Sequence, residues 1–141
     1  MKYADQLHAT VERLAIGLGW PLVLADGNVY LPTSRGIVGL VVPARFGGWV
    51  DAEFDRRGIV AATLALPDGT WAFLVEDPGV QHPPVPSGVF VVDGPSYLPV
   101  PPSVTVGGPV RWVREPRTDV RPLPPFREAL DVVCQLSPRR A

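Results

Sequence analysis

The amino-acid sequence predicts an α+β fold with a mostly antiparallel or mixed sheet, flanked by an N-terminal helix, one short middle helix and a C-terminal helix. Three observations predict this class. The 141 residues include 18 prolines and 14 glycines, which is too many for a mostly helical protein. Hydrophobic residues make up 46% of the chain, which is ordinary for a globular domain. Hydrophobic patterns of helical and strand type follow one another along the chain, as they do in α+β proteins.

The N-terminal helix is predicted by apolar residues that recur every three or four positions. These residues are Tyr3, Leu7, Val11, Leu14 and Leu18. Gly19 can adopt the left-handed conformation that ends many helices, and Pro21 cannot continue one. We therefore expect one α-helix from about residue 3 to residue 18.

Strands and a short helix are expected in the next segment. Asp26-Gly27 favours a tight turn, so residues 22–25 and 28–31 predict a hairpin. The nearly all-apolar run of residues 36–42 is typical of a buried central strand. A short helix is expected from about residue 49 to residue 57, with Gly58 as its stop. Residues 59–66 and 70–76 then predict a second hairpin.

The second half of the chain is rich in proline, with 13 in residues 78–125. Residues 89–92 and 110–113 still have strand patterns, and the segments between them are expected to be loops or edge strands. A C-terminal helix is expected after Pro124, with Pro125 in its first turn. Its predicted apolar face comprises Phe126, Ala129, Leu130, Val133 and Cys134. We expect residues 1–136 to form a single domain and residues 137–141 a frayed tail.

Composition and charge exclude several classes of function. The formal net charge is −1, so the chain lacks the strongly basic character of many nucleic-acid-binding domains. Cys134 is the only cysteine, so an internal disulfide or a cysteine zinc site is excluded. No apolar run approaches the roughly 20 residues of a membrane helix, and the first residues lack the apolar core of a signal peptide. We expect a cytoplasmic chain without membrane contact, metal or cofactor.

Side chains suited to catalysis are scattered. No serine has the context of a nucleophile elbow, and neither histidine has a carboxylate at a ligand-like spacing. One hypothesis is an enzyme of another class, built from Asp68, Glu76, Asp93 and His82. Tight clustering of these four groups in one pocket would support that hypothesis.

Three segments resemble the N-terminal catalytic domain of bifunctional DNA primase/polymerases, in the archaeo-eukaryotic primase superfamily. Residues 18–23 resemble the Gly-Trp-Pro-Val that follows the opening helix of that family. Residues 36–48 align without a gap with its first metal motif, Gly-Leu-Val-Val-Leu-Asp-Val-Asp-Pro-Arg-His-Gly-Gly. Residues 88–103, followed by 107–112, resemble a third segment through Tyr97, Pro101-Pro102-Ser103 and Trp112.

The resemblance implies a primase/polymerase-like scaffold whose chemical positions have all changed. The two aspartates of the family's first metal motif fall on Val41 and Pro43, and its third metal aspartate falls on Phe90. Its nucleotide-binding histidine is replaced by Trp71. Valine, proline and phenylalanine side chains cannot ligate a hard cation. The resemblance therefore implies a catalytically inactive relative.

Two functions remain open besides an enzyme of another class. The first is an inactive primase/polymerase-like module that binds nucleic acid or a replication-associated protein. Its candidate nucleic-acid contacts are Arg45, Arg111, Arg114 and Arg117. The second is a protein-interaction or structural domain without a nucleic-acid role, whose proline-rich segments 78–86 and 99–102 offer polyproline-like surface.

Overall fold

Three α-helices and ten strands form the part of the chain described by the computed structural model, residues 2–121 and 123–137. The helices are α1 (Tyr3–Val11), α2 (Ala44–Arg57) and α3 (Phe126–Leu136). The strands are β1 (Val23–Ala25), β2 (Asn28–Pro32), β3 (Ile37–Pro43), β4 (Thr63–Ala65), β5 (Thr70–Glu76), β6 (Phe90–Val92), β7 (Tyr97–Val100), β8 (Val104–Thr105), β9 (Gly108–Pro109) and β10 (Arg111–Arg114). The predicted α+β class is confirmed.

The strands form three sheets instead of the single sheet that we expected. The largest has the order β10-β4-β5-β3-β6, a second has the order β1-β2-β7, and β8 pairs with β9. Each strand pair is antiparallel. Ile37 to Val42 of β3 are all buried, which confirms the predicted strand with two covered faces.

The two faces of the five-stranded sheet pack against different layers. Successive side chains of a strand point to opposite faces, so Val38, Leu40 and Val42 share one face of β3. They join a buried cluster with residues of α2 and α3, among them Phe54 and Leu130. Helices α2 and α3 therefore cover this face of the sheet.

The three-stranded sheet belongs to the cluster on the opposite face. Ile37 and Val41 of β3 join a second buried cluster with Leu31 of β2 and Leu98 of β7. A Cβ atom at Gly39 would lie 2.8 Å from a methyl carbon of Leu98, so glycine allows the two sheets to approach closely here.

The first helix is not a continuous α-helix to residue 18. Its α-helical part ends at Val11, and Glu12–Gly17 forms a π-helical turn. The N–H of Trp20 donates to the carbonyl of Leu14 at 3.0 Å. The two residues are one position farther apart in the chain than the residues joined by a Schellman capping bond. Gly19 has the predicted left-handed conformation, with φ of 71°. The wider turn brings both Leu14 and Trp20 into the core.

The middle helix begins at Ala44, five residues before the expected start. The predicted start was too late, since α2 includes glycines 47 and 48 although glycine disfavours helix. A Cβ atom at Gly47 would lie 2.8 Å from the ring of Trp71, so the close packing of helix on sheet requires glycine there. Gly58 ends the helix with φ of 71°, as predicted.

The first hairpin and the C-terminal helix lie where they were expected, with one error. Asp26 and Gly27 have φ of 52° and 78°, as a tight hairpin turn requires. In α3, however, Cys134 is exposed and Val132 is buried instead. Helix α2 packs against α3, and Val132 joins Phe54 of α2 in the buried cluster. Of the expected frayed tail, only Ser137 lies within the described residues.

The second predicted hairpin and the proline-rich half differ in detail. Strand β4 is only Thr63–Ala65, shorter than the expected 59–66, whereas β5 matches its prediction. Strand β7 contains Pro99 and lies at the edge of its sheet, where a missing N–H is tolerated. In residues 2–121 and 123–137, no helix is long and apolar enough to cross a bilayer.

Candidate functional site

The three positions aligned with metal-binding aspartates meet on one face of the five-stranded sheet. Val41 of β3 is directly opposite Phe90 of β6, and Pro43 lies two residues farther along β3 on the same face. Val41 is 7% exposed, whereas the side chain of Phe90 is 63% exposed. We call Val41, Pro43 and Phe90 the apolar triad. It forms an apolar surface at the edge of the sheet.

Trp71 lies on the other face of the sheet from the apolar triad. It is opposite Val42 in the β3–β5 pair, and its ring packs against Gly47 of α2. Trp71 is half-buried and contacts the cluster beneath the helices. Its position therefore gives it a packing role between sheet and helix.

Donors for a metal ion do not converge in the described part of the chain. Residues 2–121 and 123–137 contain no group of three or more histidine, cysteine or acidic side chains able to hold an ion. Asp68 lies in the β4–β5 turn, near the Pro43 end of β3. Its carboxylate accepts hydrogen bonds from the backbone N–H and the hydroxyl of Thr70 at 3.1 and 2.6 Å. That carboxylate therefore stabilises the turn.

The four residues proposed for an enzyme of another class, Asp68, Glu76, Asp93 and His82, do not form one cluster. His82 Nε2 lies 3.9 Å from a carboxylate oxygen of Asp93. Glu76 forms an ion pair with Arg121 at the far end of β5 from Asp68. The hypothesis needed all four groups in one pocket, so the geometry gives it no support.

Two of the four candidate arginines are engaged by carboxylates. Arg114 Nε and Nη2 donate to the two carboxylate oxygens of Asp51 at 2.8 and 3.0 Å. Arg117 donates in the same two-point manner to Asp119, with its Nε at 2.9 Å. These hydrogen bonds raise the pKa of both guanidinium groups. Both arginines stay charged, but their charge is balanced locally.

Arg45 and Arg111 are the candidate arginines that keep a free charge. Both are exposed, and within the described residues neither has an ion-pair partner. Arg111 is opposite Ala65, which is opposite Trp71, so Arg111 lies roughly 10 Å from β5. Arg45 follows the end of β3, so both arginines lie at the same end of the sheet.

A cleft between α2 and the segment after β10 was missed at the sequence level. It has a volume of about 160 Å³, and Asp51, Asp55, Arg114, Glu115 and Arg117 contribute its charged groups. Asp51 and Asp55 are four residues apart and share one helix face, which is the signal that could have identified the cleft.

The segment Pro101-Pro102-Ser103, on which the resemblance to primase/polymerases most depends, has a structural role here. Ser103 is fully buried, and its hydroxyl bonds both the N–H and the carbonyl of Val29 at 2.9 Å. The Thr10 hydroxyl donates to the carbonyl of Pro101 at 3.1 Å, and the Pro101–Pro102 peptide bond is cis. The segment thus joins α1 to β2. Residues 99–102 form a strand and a turn, so the polyproline-like surface expected there is wrong.

Comparison of the chain with protein-family models, curated proteins and solved structures finds no match. The resemblance to primase/polymerases therefore depends on the aligned residues and on the positions they occupy in the sheet.

Proposed function

We propose that this chain is a primase/polymerase-like domain that has lost the metal-dependent reaction and acts as a cytoplasmic binding or regulatory module. The observation that carries the proposal is the β3–β6 register, which brings Val41 and Phe90 opposite each other with Pro43 on the same face. Val41 and Pro43 share a face because they are two residues apart on β3, so the informative position is Phe90, which a separate strand brings opposite Val41. Their convergence is what a shared scaffold requires, and their side chains offer no oxygen to a divalent cation.

Nucleic acid is the first candidate ligand of this module. Arg45 and Arg111 supply exposed positive charge at one end of the sheet. Trp49 lies four residues after Arg45 on α2, and its side chain is 59% exposed. An exposed tryptophan next to an arginine on one helix suits base stacking together with phosphate contact. These features support binding of a single strand.

Fluorescence anisotropy with a labelled single-stranded oligonucleotide tests this ligand. Because each phosphate contact contributes a salt slope of about 0.7 for single strands, loss of two contacts in R45A/R111A should reduce the slope by about 1.4. Affinity should fall about tenfold or more. The matched control R114A/R117A removes two arginines that Asp51 and Asp119 already neutralise, so it should bind like the unmodified chain.

Three outcomes would contradict the nucleic-acid proposal. They are undetectable binding at low salt, binding that does not change with salt, and an equal loss of affinity in R114A/R117A and R45A/R111A. The last result would mean that only the total charge matters.

A protein partner is the second candidate ligand. It is favoured by the carboxylates that neutralise Arg114 and Arg117, and by the net charge of −1. The remaining proline-rich segment, residues 78–86, offers a surface for such a partner.

A further inference from the structure

The segment His82–Pro86 has a backbone that its own sequence restricts to an extended form. Pro83, Pro84 and Pro86 have φ fixed near −65° by their rings. His82, Pro83 and Val85 each precede a proline, which disfavours helical conformations and favours extended or polyproline II conformations. Each residue of the segment is therefore restricted before any tertiary contact forms.

One edge of this segment is anchored to the domain. The His82 ring lies 5.7 Å from the Phe126 ring of α3, centroid to centroid, and Val85 packs against the core beneath the helices. These two residues are three apart, which is one turn of a polyproline II helix. The N–H of Val89 donates to the carbonyl of Pro86 at 3.1 Å and fixes the end of the segment.

The other edges of the segment face solvent. Gln81, Pro83 and Pro84 are exposed. Within residues 2–121 and 123–137, no hydrogen bond between backbone groups involves residues 81–85. The carbonyls of Pro84 and Val85 thus have no backbone partner in this part of the chain, and Pro84 is exposed.

We propose that His82–Pro86 is a docking segment for a protein domain that binds polyproline II ligands in a groove lined by aromatic side chains. Such grooves bind exposed prolines and donate hydrogen bonds to the ligand carbonyls. A segment that its prolines restrict to extended conformations loses less entropy on docking, which favours affinity. Asp77 and Asp93 are exposed at the two ends of the loop, so the partner groove has basic side chains at its rim. This inference deepens the second candidate function and is independent of the primase/polymerase resemblance.

The test is a titration of the isotopically labelled full chain, followed by amide NMR, with a panel of purified SH3, WW and EVH1 domains. At least one domain with a basic groove rim should bind with sub-millimolar Kd and shift the amides of residues 80–89. P83A/P84A should weaken that binding at least tenfold. The control P78A changes another exposed proline of the same loop outside the segment and should bind normally.

Three results would overturn the proposal: no binding by any domain of the panel, shifts confined to another surface, or full affinity of P83A/P84A. Amide shifts outside the loop report whether the variant is folded, and P84E provides a second variant at an exposed position. An oligonucleotide titration of the same labelled chain is measured separately. Loss of one interaction can thus be distinguished from loss of the other.

Discussion

Glycines 47 and 48 are neighbours on α2 with different surroundings. A Cβ atom at Gly47 would lie 2.8 Å from the Trp71 ring, whereas at Gly48 it would meet no atom within 4 Å. Trp71 is wedged between helix and sheet, so it cannot move away without disturbing the core. Alanine at position 48 therefore tests only the benefit of a better helix former, whereas alanine at position 47 adds a steric clash.

We predict opposite effects of alanine at these two positions. G48A should raise the free energy of unfolding by about 0.5–1 kcal/mol, since glycine is a poor residue inside a helix. G47A should lower it by about 1–3 kcal/mol, because overpacking against Trp71 exceeds that gain. Urea denaturation of both variants measures the two values. A stabilised G47A would mean that Trp71 does not pack as described.

At the scale of the element, α2 carries a charge cluster on its C-terminal half. Glu53 accepts hydrogen bonds from Arg56 at 2.9 Å and Arg57 at 2.6 Å. These bonds lower the pKa of Glu53 from 4.5 to about 2. A carboxylate with a lowered pKa stabilises the folded state fully above its unfolded pKa, and this contribution is lost as the pH falls.

E53Q should therefore lower Tm at pH 7 relative to the unmodified chain. The difference in Tm should shrink between pH 4.5 and pH 2 and vanish near pH 2, and high salt should reduce it at neutral pH. Thermal unfolding followed by circular dichroism across this range is the measurement. D131N, at an exposed position in the middle of α3, serves as control. A difference that persists unchanged at pH 2 would show that the charge of Glu53 does not matter.

Elements governed by local sequence were predicted well, and those set by distant contacts were not. The Asp26-Gly27 turn and the Gly58 helix end depend on backbone preferences that neighbouring residues determine. The start of α2 depends on Trp71, which lies 24 residues after Gly47 and packs on it. The π-helical turn likewise serves the burial of Leu14 and Trp20. No local pattern contains this information.

At the scale of the whole molecule, the candidate site was predicted only in part. The shared face of the apolar triad follows from strand alternation and the β3–β6 register. The pairing of Arg114 with Asp51 could not be predicted, because the two residues are 63 positions apart in the chain. The His82–Pro86 segment was expected as polyproline surface. Its anchoring by Phe126 was not expected, because α3 follows 40 residues later.

We propose that the primase/polymerase-like scaffold persists in this chain without the metal-dependent reaction. The most direct measurement is template-directed nucleotide incorporation by the purified chain, with primed and unprimed templates and with either Mg²⁺ or Mn²⁺. Two-metal phosphoryl transfer needs carboxylates that hold both ions about 4 Å apart. With Val41, Pro43 and Phe90 at the aligned positions, we predict no incorporation above a mock-purified control. Template-dependent incorporation that follows the purified chain would contradict the claim.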